Sequence, residues 1–332
     1  MRETISMQYR NLGRCGLKLS ALGLGGWTTF GDSVTNQGTI TAIIAAAYSA
    51  GINFFDMADA YARGESERAM GAALRQFPRH TLVLSSKLFR PMSDDINDRG
   101  LSRKHIMESI DKSLARIGTD YLDIYLCHRD DPETPVEETM RAMDDLVRAG
   151  KILYWGTSEW PLAKLDEARR IAGTTFNRPQ VEQPQYNLLN RRIEEDLAAY
   201  VVEHGVGLTV YGPLASGLLT GKYDDGIPEG SRLARLAPQR EHWYRAELVE
   251  RVRRFRKIAD DLGAPRAAVA IAWLLTRPGV STVITGATNP DQLRSNLQAL
   301  TLQLPPAVLA EIDDILPGPQ TGPQGGLQQR RA

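Results

Sequence analysis

Phe54-Phe55-Asp56-Met57-Ala58-Asp59-Ala60-Tyr61 is the stretch on which the reading of this 332-residue chain turns. Two strand-favouring aromatics give way at once to a carboxylate, and a phenol follows five positions later. Phenylalanine suits a pleated, half-buried surface, and chemistry-bearing side chains gather where strands pass into loops. An ordinary strand end with a solvated loop has the same composition, so the octapeptide gains meaning only if the pattern recurs.

It does recur. Apolar runs at 22–26, 53–56, 82–87, 122–128, 152–158, 180–183, 207–211 and 282–286 alternate with stretches of helical spacing such as 40–50, 103–117, 135–149, 161–172 and 193–204. Gly51 and Gly150 stand just past their helices, Pro135 and Pro161 sit where first-turn prolines are tolerated, and Thr134 is placed to cap with Glu137. Alternating strands and helices predict a parallel sheet. Eight units of roughly 30 residues predict a closed (β/α)8 TIM barrel, preceded by an N-terminal β-hairpin at 7–10 and 17–21.

Successive strand ends, at 26, 56, 87, 128, 158, 183, 211 and 286, lie 25 to 41 residues apart except for the last pair, which lie 75 apart. The long insertion after strand seven holds a Gly, Pro and Arg-containing stretch at 213–240 and helical runs at 246–262 and 265–276. It falls at the face where barrels usually bind phosphate. Helical runs at 290–300 and 306–316 close the pattern, so 1–316 is expected to be one domain, with 317–332 a disordered Pro, Gly and Gln-rich tail.

A hydrophobic share of 42% with 24% charged residues is that of a globular protein with ample core material. Forty basic against forty acidic residues leave no footprint for nucleic acid or an anionic membrane surface, and neither is expected as a partner. Two cysteines in no metal or redox spacing, and no apolar run of spanning length, point to a reducing, cytoplasmic location. Five histidines in no HxH or HExxH arrangement give a metal-dependent hydrolase little support, and no metal ligands are assigned.

In a parallel barrel all carboxyl ends of the strands face one rim. Those ends carry Asp56, Lys87, His128, Ser158, Gln183 and Tyr211. Singly, each has a plain structural alternative, such as a solvated lysine or a satisfied loop histidine; jointly they describe a reaction. A phenol with a pKa near 10 needs help to exchange protons at neutral pH. A lysine about 4 Å away can supply up to roughly 4 kcal/mol at an effective dielectric near 20. Asp56 would keep Lys87 charged, and His128 can direct an N–H at a carbonyl oxygen. Such a set protonates a carbonyl oxygen as hydride arrives at its carbon, but none of the four supplies hydride, so a cofactor is required.

These residues resemble those of the aldo-keto reductase superfamily, and most of all the branch that includes the β-subunits of voltage-gated potassium channels and their bacterial relatives. The likeness runs through Tyr9-Arg10-Asn11-Leu12-Gly13, 51–61, Gly100-Leu101-Ser102-Arg103-Lys104-His105-Ile106, Tyr154-Trp155-Gly156-Thr157-Ser158, 212–223 and 286–296. It implies an NADPH-dependent oxidoreductase that reduces small-molecule aldehydes or ketones to alcohols. Tyr61 would be the general acid, tuned by Lys87 and Asp56, and His128 would orient the carbonyl. By the same resemblance NADP(H) is held by Ser158 and Gln183 at the carboxamide and by Tyr211 stacked on the nicotinamide. Pro213, Leu214, Ser216 and Gly217 pass over the pyrophosphate, Lys222, Arg232, Thr288 and Gln292 meet the adenosine ribose and its 2′-phosphate, Asn296 lies near the adenine, and Gly212 and Gly286 belong to the same cofactor site. There is no G-x-G-x-x-G after the first strand, so the cofactor is not held in Rossmann fashion.

Three departures bear on function. The channel β-subunits carry asparagine where this chain has His128, which favours the fuller catalytic set here. Glu159 stands where they carry arginine, and Ser295 where a glutamate often meets the adenine. The competing reading is a cofactor-loaded binding module or redox sensor with incidental turnover. Trp27 and Phe30, after the first strand, can wall the cofactor and substrate pocket or pack in the core. Cys127 is expected to face a packed layer, and the basic residues of 251–257 a solvated helix face. Trp243 and Tyr244 can meet substrate or a neighbouring subunit of a homo-oligomer, and the sequence leaves both open.

Overall fold

A computed structural model describes residues 6–319. Positions 320–332 of the expected tail lie outside the described residues. Strands β1 (Tyr9–Asn11) and β2 (Lys18–Ser20) pair antiparallel, as expected of the hairpin. The other eight, β3 (Leu22–Gly25), β4 (Phe54–Asp56), β5 (Val83–Leu88), β6 (Leu122–Cys127), β7 (Ile152–Thr157), β8 (Val181–Glu182), β9 (Gly207–Val210) and β10 (Val280–Thr285), form a closed parallel barrel in sequence order, with β10 joining β3 to β9. The protein is a (β/α)8 TIM barrel with an N-terminal hairpin.

The period of two along each strand sorts the core into two layers. Phe54, Val83, Ile124, Leu126, Val181 and Ile284 fill the barrel interior, and Leu12 and Leu19 of the hairpin segment plug one end of it. Their neighbours Phe55, Leu84, Tyr125 and Cys127 point outward against the helices. Cys127 is fully buried there, in the layer opposite Leu126, as its alternation predicted. The same inward parity that seats Phe54 and Val83 seats Asp56, Ser85 and Lys87.

The outer helices are α1 (Gln37–Ser49), α2 (Glu65–Leu74), α3 (Arg103–Ile117), α4 (Val136–Arg148), α5 (Leu162–Ala172), α6 (Leu197–His204), α7 (Arg232–Arg235), α8 (Ala237–Trp243), α9 (Ala246–Asp261), α10 (Arg266–Leu275), α11 (Pro290–Leu297) and α12 (Pro306–Ile315). Asn36 and Ser102 cap α1 and α3 through their side chains. Two details differ from expectation. Thr134 does not cap α4: its hydroxyl donates to Asp131 at 2.8 Å, and Pro135 takes the cap position without a side-chain bond. The short helices α7 and α8 lie in the 213–240 stretch and its continuation, where Gly and Pro masked the helical period. Among the described residues no helix is long and apolar enough to cross a membrane.

Candidate active site

Four consecutive parts of the barrel rim bring the predicted chemistry together. Asp56 ends β4, Lys87 lies on β5, His128 follows β6 with its amide bonded to Leu88 O at 2.9 Å, and Tyr61 stands in the turn after β4. Lys87 is wholly enclosed. Its Nζ donates to Asp56 Oδ2 at 2.7 Å, to Met57 O at 2.6 Å and to Tyr61 Oη at 3.1 Å. An ammonium group has three hydrogens, and all three are used. Because the phenol oxygen accepts from lysine, its own hydrogen is free for another partner. Asp56 Oδ1 is held in turn by Ser85 Oγ at 2.7 Å and Gln183 Nε2 at 3.0 Å. The His128 ring meets that of Tyr61 edge-on, with centroids 5.7 Å apart.

The turn that carries Tyr61 is unusual. Ala62, Arg63 and Gly64 take φ of 48°, 51° and 89°, three left-handed residues in a row, two of them with a Cβ. Strain of this kind persists only where the surroundings over-determine it and clusters at functional sites. A side chain at Gly64 would come within 2.7 Å of the Arg116 Cδ, so glycine is required there on two counts.

Burial governs the protonation states. It pushes the Tyr61 phenol well above its ordinary value, and Asp56 adds to the shift while Arg129 opposes it. Lys87, whose charge is matched by Asp56 at 2.7 Å, does not reverse that shift, although its bond to the phenol oxygen favours the ionised form. Burial likewise lowers Lys87, against the pull of Asp56. The His128 imidazole is held well below its usual range by burial, then by Lys87, Arg129 and Arg90, and so is neutral at pH 7. Tyr61 is a protonated donor beside a neutral histidine.

Two connected spaces open on this set. A cavity of about 280 Å³ is lined by Trp27, Ala60, Tyr61, Arg90, His128, Arg129, Ser158, Gln183 and Tyr211. A groove of about 850 Å³ leads away along the carboxyl ends of β9, β10 and β3, and shares Trp27, Tyr61 and Tyr211 with the cavity. Trp27 meets Tyr211 edge-on at 6.2 Å; the tryptophan is a wall of the pocket, while Phe30 is buried in the core. Gly212, Pro213, Leu214, Ser216, Gly217, Lys222, Arg232, Gly286, Thr288, Gln292 and Asn296 all line the groove. Every position named from the resemblance except Lys87 thus lines one of the two spaces, and Lys87 lies directly beneath Tyr61.

The groove suits a long anionic ligand. Ala215, Ser216 and Gly217 have φ of 47°, 56° and 98°, bending the backbone around the groove wall toward Lys222. Lys222 and the half-buried Arg232 have no carboxylate within 4.0 Å among the described residues, and burial lowers the Arg232 guanidinium. Two cations without a carboxylate partner in the groove lining suit an anionic group such as phosphate. Thr288 donates to Gln292 Oε1 at 3.1 Å, and Asn296 to Gly286 O at 3.4 Å, which fixes the opposite wall. At the inner end, Ser158 Oγ donates to Gln183 O at 2.9 Å, and Gln183 spends its amide hydrogens on Asp56 and Thr209. Glu159 does not lie free beside them: its carboxylate accepts from the Gln185 amide at 2.6 Å and pairs with Arg192 at 3.0 Å.

Sequence reasoning missed Arg90 and Arg129, which stand three residues after Lys87 and one after His128; proximity to the rim residues was the available signal. It also missed Asp32 and Arg235, which face each other across the groove at 4.0 Å. Asp59 of the opening stretch is fully buried: its amide donates to Lys87 O at 3.1 Å and its carboxyl accepts from Ser109 at 3.3 Å. Burial and the nearby Glu67 push that carboxyl up to about 7.

A closed (β/α)8 barrel with titratable residues gathered at the carboxyl ends of its strands defines the class, a TIM-barrel enzyme scaffold. A sequence profile described as "Aldo/keto reductase family" matches residues 21–317. This chain belongs to the aldo/keto reductase family, whose members generally bind NADP(H). It is 42% identical over 323 residues to a "Putative voltage-gated potassium channel subunit beta" of Schizosaccharomyces pombe, covering 94% of both chains. It is 42% identical to a "Probable voltage-gated potassium channel subunit beta" of Arabidopsis thaliana and 43% identical to one of Oryza sativa subsp. japonica. Each of these matches covers 93% of this chain and 97% of the relative.

Proposed function

We propose that this chain is an NADPH-dependent reductase of aldehydes or ketones, built as one domain over 1–316, with Tyr61 as the general acid. The observation that carries the reading is the single Lys87 ammonium donating at once to Asp56 and to Tyr61. When bound, the dihydronicotinamide would supply hydride to the carbonyl carbon. Tyr61, protonated at neutral pH, gives its hydrogen to the carbonyl oxygen. Lys87, already bonded to the phenol oxygen, stabilises the phenolate left behind, and Asp56 keeps the lysine charged and in place. Neutral His128 directs an N–H toward the same carbonyl oxygen and thereby orients the substrate. The rim needs no metal for these steps. Lys222 and Arg232 would take the 2′-phosphate, which favours NADPH over NADH.

Purified protein with NADPH and a panel of aldehydes is expected to consume cofactor, and Tyr61→Phe to lower kcat by about 100-fold or more. Full activity in Tyr61→Phe would refute the assignment of the acid. The names of the relatives favour a second reading, a cofactor-loaded subunit of a membrane channel. It requires cofactor retained through purification, very slow turnover and a stable complex with another protein. His128, present in place of asparagine, supports the reductase.

A further inference from the structure

The cavity around Tyr61 and His128 contains two guanidinium groups and no carboxylate in its lining. Arg90 comes from the loop after β5 and Arg129 from the loop after β6. Neither has an acidic partner within 4.0 Å among the described residues. The acids nearest in the chain are engaged or turned elsewhere. Asp56 is paired with Lys87, Glu159 with Arg192 and the Gln185 amide, Asp131 with Leu101 N and the Thr134 hydroxyl, and Asp130 lies in the field of Lys164. Arg129 uses Nη1 on its neighbour's carbonyl, His128 O at 2.5 Å, and on Ser158 Oγ at 3.4 Å. Those bonds anchor the group and leave most of its fork of five N–H donors unspent.

The placement of Arg90 is held at a cost. Phe89, immediately before it, has φ of 146°, a conformation that residues with a Cβ rarely adopt, and its carbonyl is held by the Gly100 amide at 2.8 Å. An apolar carbonyl substrate gives this cavity no reason to collect two guanidiniums without acidic partners above a buried lysine, since like charges oppose one another. An anion supplied by the substrate removes that opposition. A carboxylate or phosphate matches the planar fork of arginine, which binds both in bidentate fashion.

We infer that Arg90 and Arg129 form an anion subsite beside the reacting carbonyl, and that the substrates are small aldehydes or ketones bearing a carboxylate or phosphate a few bonds from the C=O group. This rests on the reductase reading for the carbonyl and on the two arginines alone for the anion. Arg129 orients the anion next to His128, and the exposed Arg90 reaches it from the adjacent loop.

The test compares matched carbonyl pairs: succinate semialdehyde with butanal, and glyceraldehyde 3-phosphate with glyceraldehyde. The anionic member is expected to have a kcat/KM at least about tenfold higher in one arm or both, and the arm that shows the preference identifies the anion. Raised salt should shrink the ratio. In Arg90→Met the ratio is expected to fall about tenfold, and in Arg90→Glu to fall below one. Binding is measured separately by calorimetry of succinate and neutral succinamide with the full chain plus NADP+. Succinate should bind at least about tenfold more tightly, and Arg90→Met should erase most of the difference. Ratios near one in both arms, or equal succinate affinity in parent and Arg90→Met, overturn the subsite while leaving carbonyl reduction intact. Should no carbonyl, charged or neutral, be reduced, the reductase reading fails, and the calorimetric comparison by itself upholds or overturns the anion site.

Discussion

Replacing Lys87 by methionine tests the rim through stability, before any substrate is added. Methionine has similar reach and no charge, so the packing changes little and the cation is what disappears. Asp56, 3% exposed, then keeps Ser85 and Gln183 as donors at 2.7 and 3.0 Å but loses its counter-ion. Removing one member of a buried pair costs about 3–5 kcal/mol, because the other charge is left uncompensated. Two surviving donors place this case at the lower end, about 3 kcal/mol. Asp56→Asn strands the ammonium in the same way, whereas the double replacement removes both charges and leaves a neutral interior. Denaturant midpoints of the parent, the two single variants and the double variant complete a cycle. The double variant should be more stable than the sum of the singles implies by about 2 kcal/mol or more. If the singles add within about 0.5 kcal/mol, the pair is not one electrostatic unit, and the link from Asp56 through Lys87 to Tyr61 loses its basis.

Other outcomes follow from the same geometry. Glu182 is fully buried on β8 and accepts the Thr157 hydroxyl; burial raises it from 4.5 to about 8. A raised carboxyl contributes stability that is complete below its unfolded value and lost as pH rises. At about 1.4 kcal/mol per pH unit, the stability of the parent relative to Glu182→Gln should fall by about 3–5 kcal/mol between the two values, 4.5 and about 8; parallel denaturation curves across that window would contradict it. Lys222→Met and Arg232→Met should each weaken NADPH by about tenfold or more while NADH changes little, as read by fluorescence titration. Gly156→Ala should destabilise the barrel by about 2 kcal/mol or more, because its Cβ would stand 2.1 Å from Val181 O on the neighbouring strand. A denaturation midpoint equal to that of the parent would show that β7 and β8 can move apart.

The barrel was legible because each of its devices leaves a mark in the chain: apolar runs for strands, glycines past helix ends, and a polar residue at six of the eight strand ends. The candidate site was legible for the same reason, since parallel strands bring their ends to one rim without knowledge of any loop. What escaped depends on directions that composition does not encode. Helix α2 was not recognised because Gly64 caps it without a side chain, after two left-handed residues. Asp59 has the look of a loop acid, and only α3 supplies the Ser109 that encloses it. Arg90 and Arg129 are ordinary loop arginines until Phe89 turns the chain, and no spacing predicts a φ of 146°.

Asp56 touches residues 29, 31 and 127 positions away, two on β5 and one just after β8. The last of these contacts exists only after more than half of the barrel has been wound. A chain arrested with its first four barrel strands assembled would therefore hold tyrosine and lysine but lack one of the donors that fix the carboxylate. Turnover would report the completion of the barrel rather than the presence of its N-terminal half. Two separately expressed halves, cut between β7 and β8, would regain activity only on reassociating, which makes catalysis itself a probe of how this barrel closes.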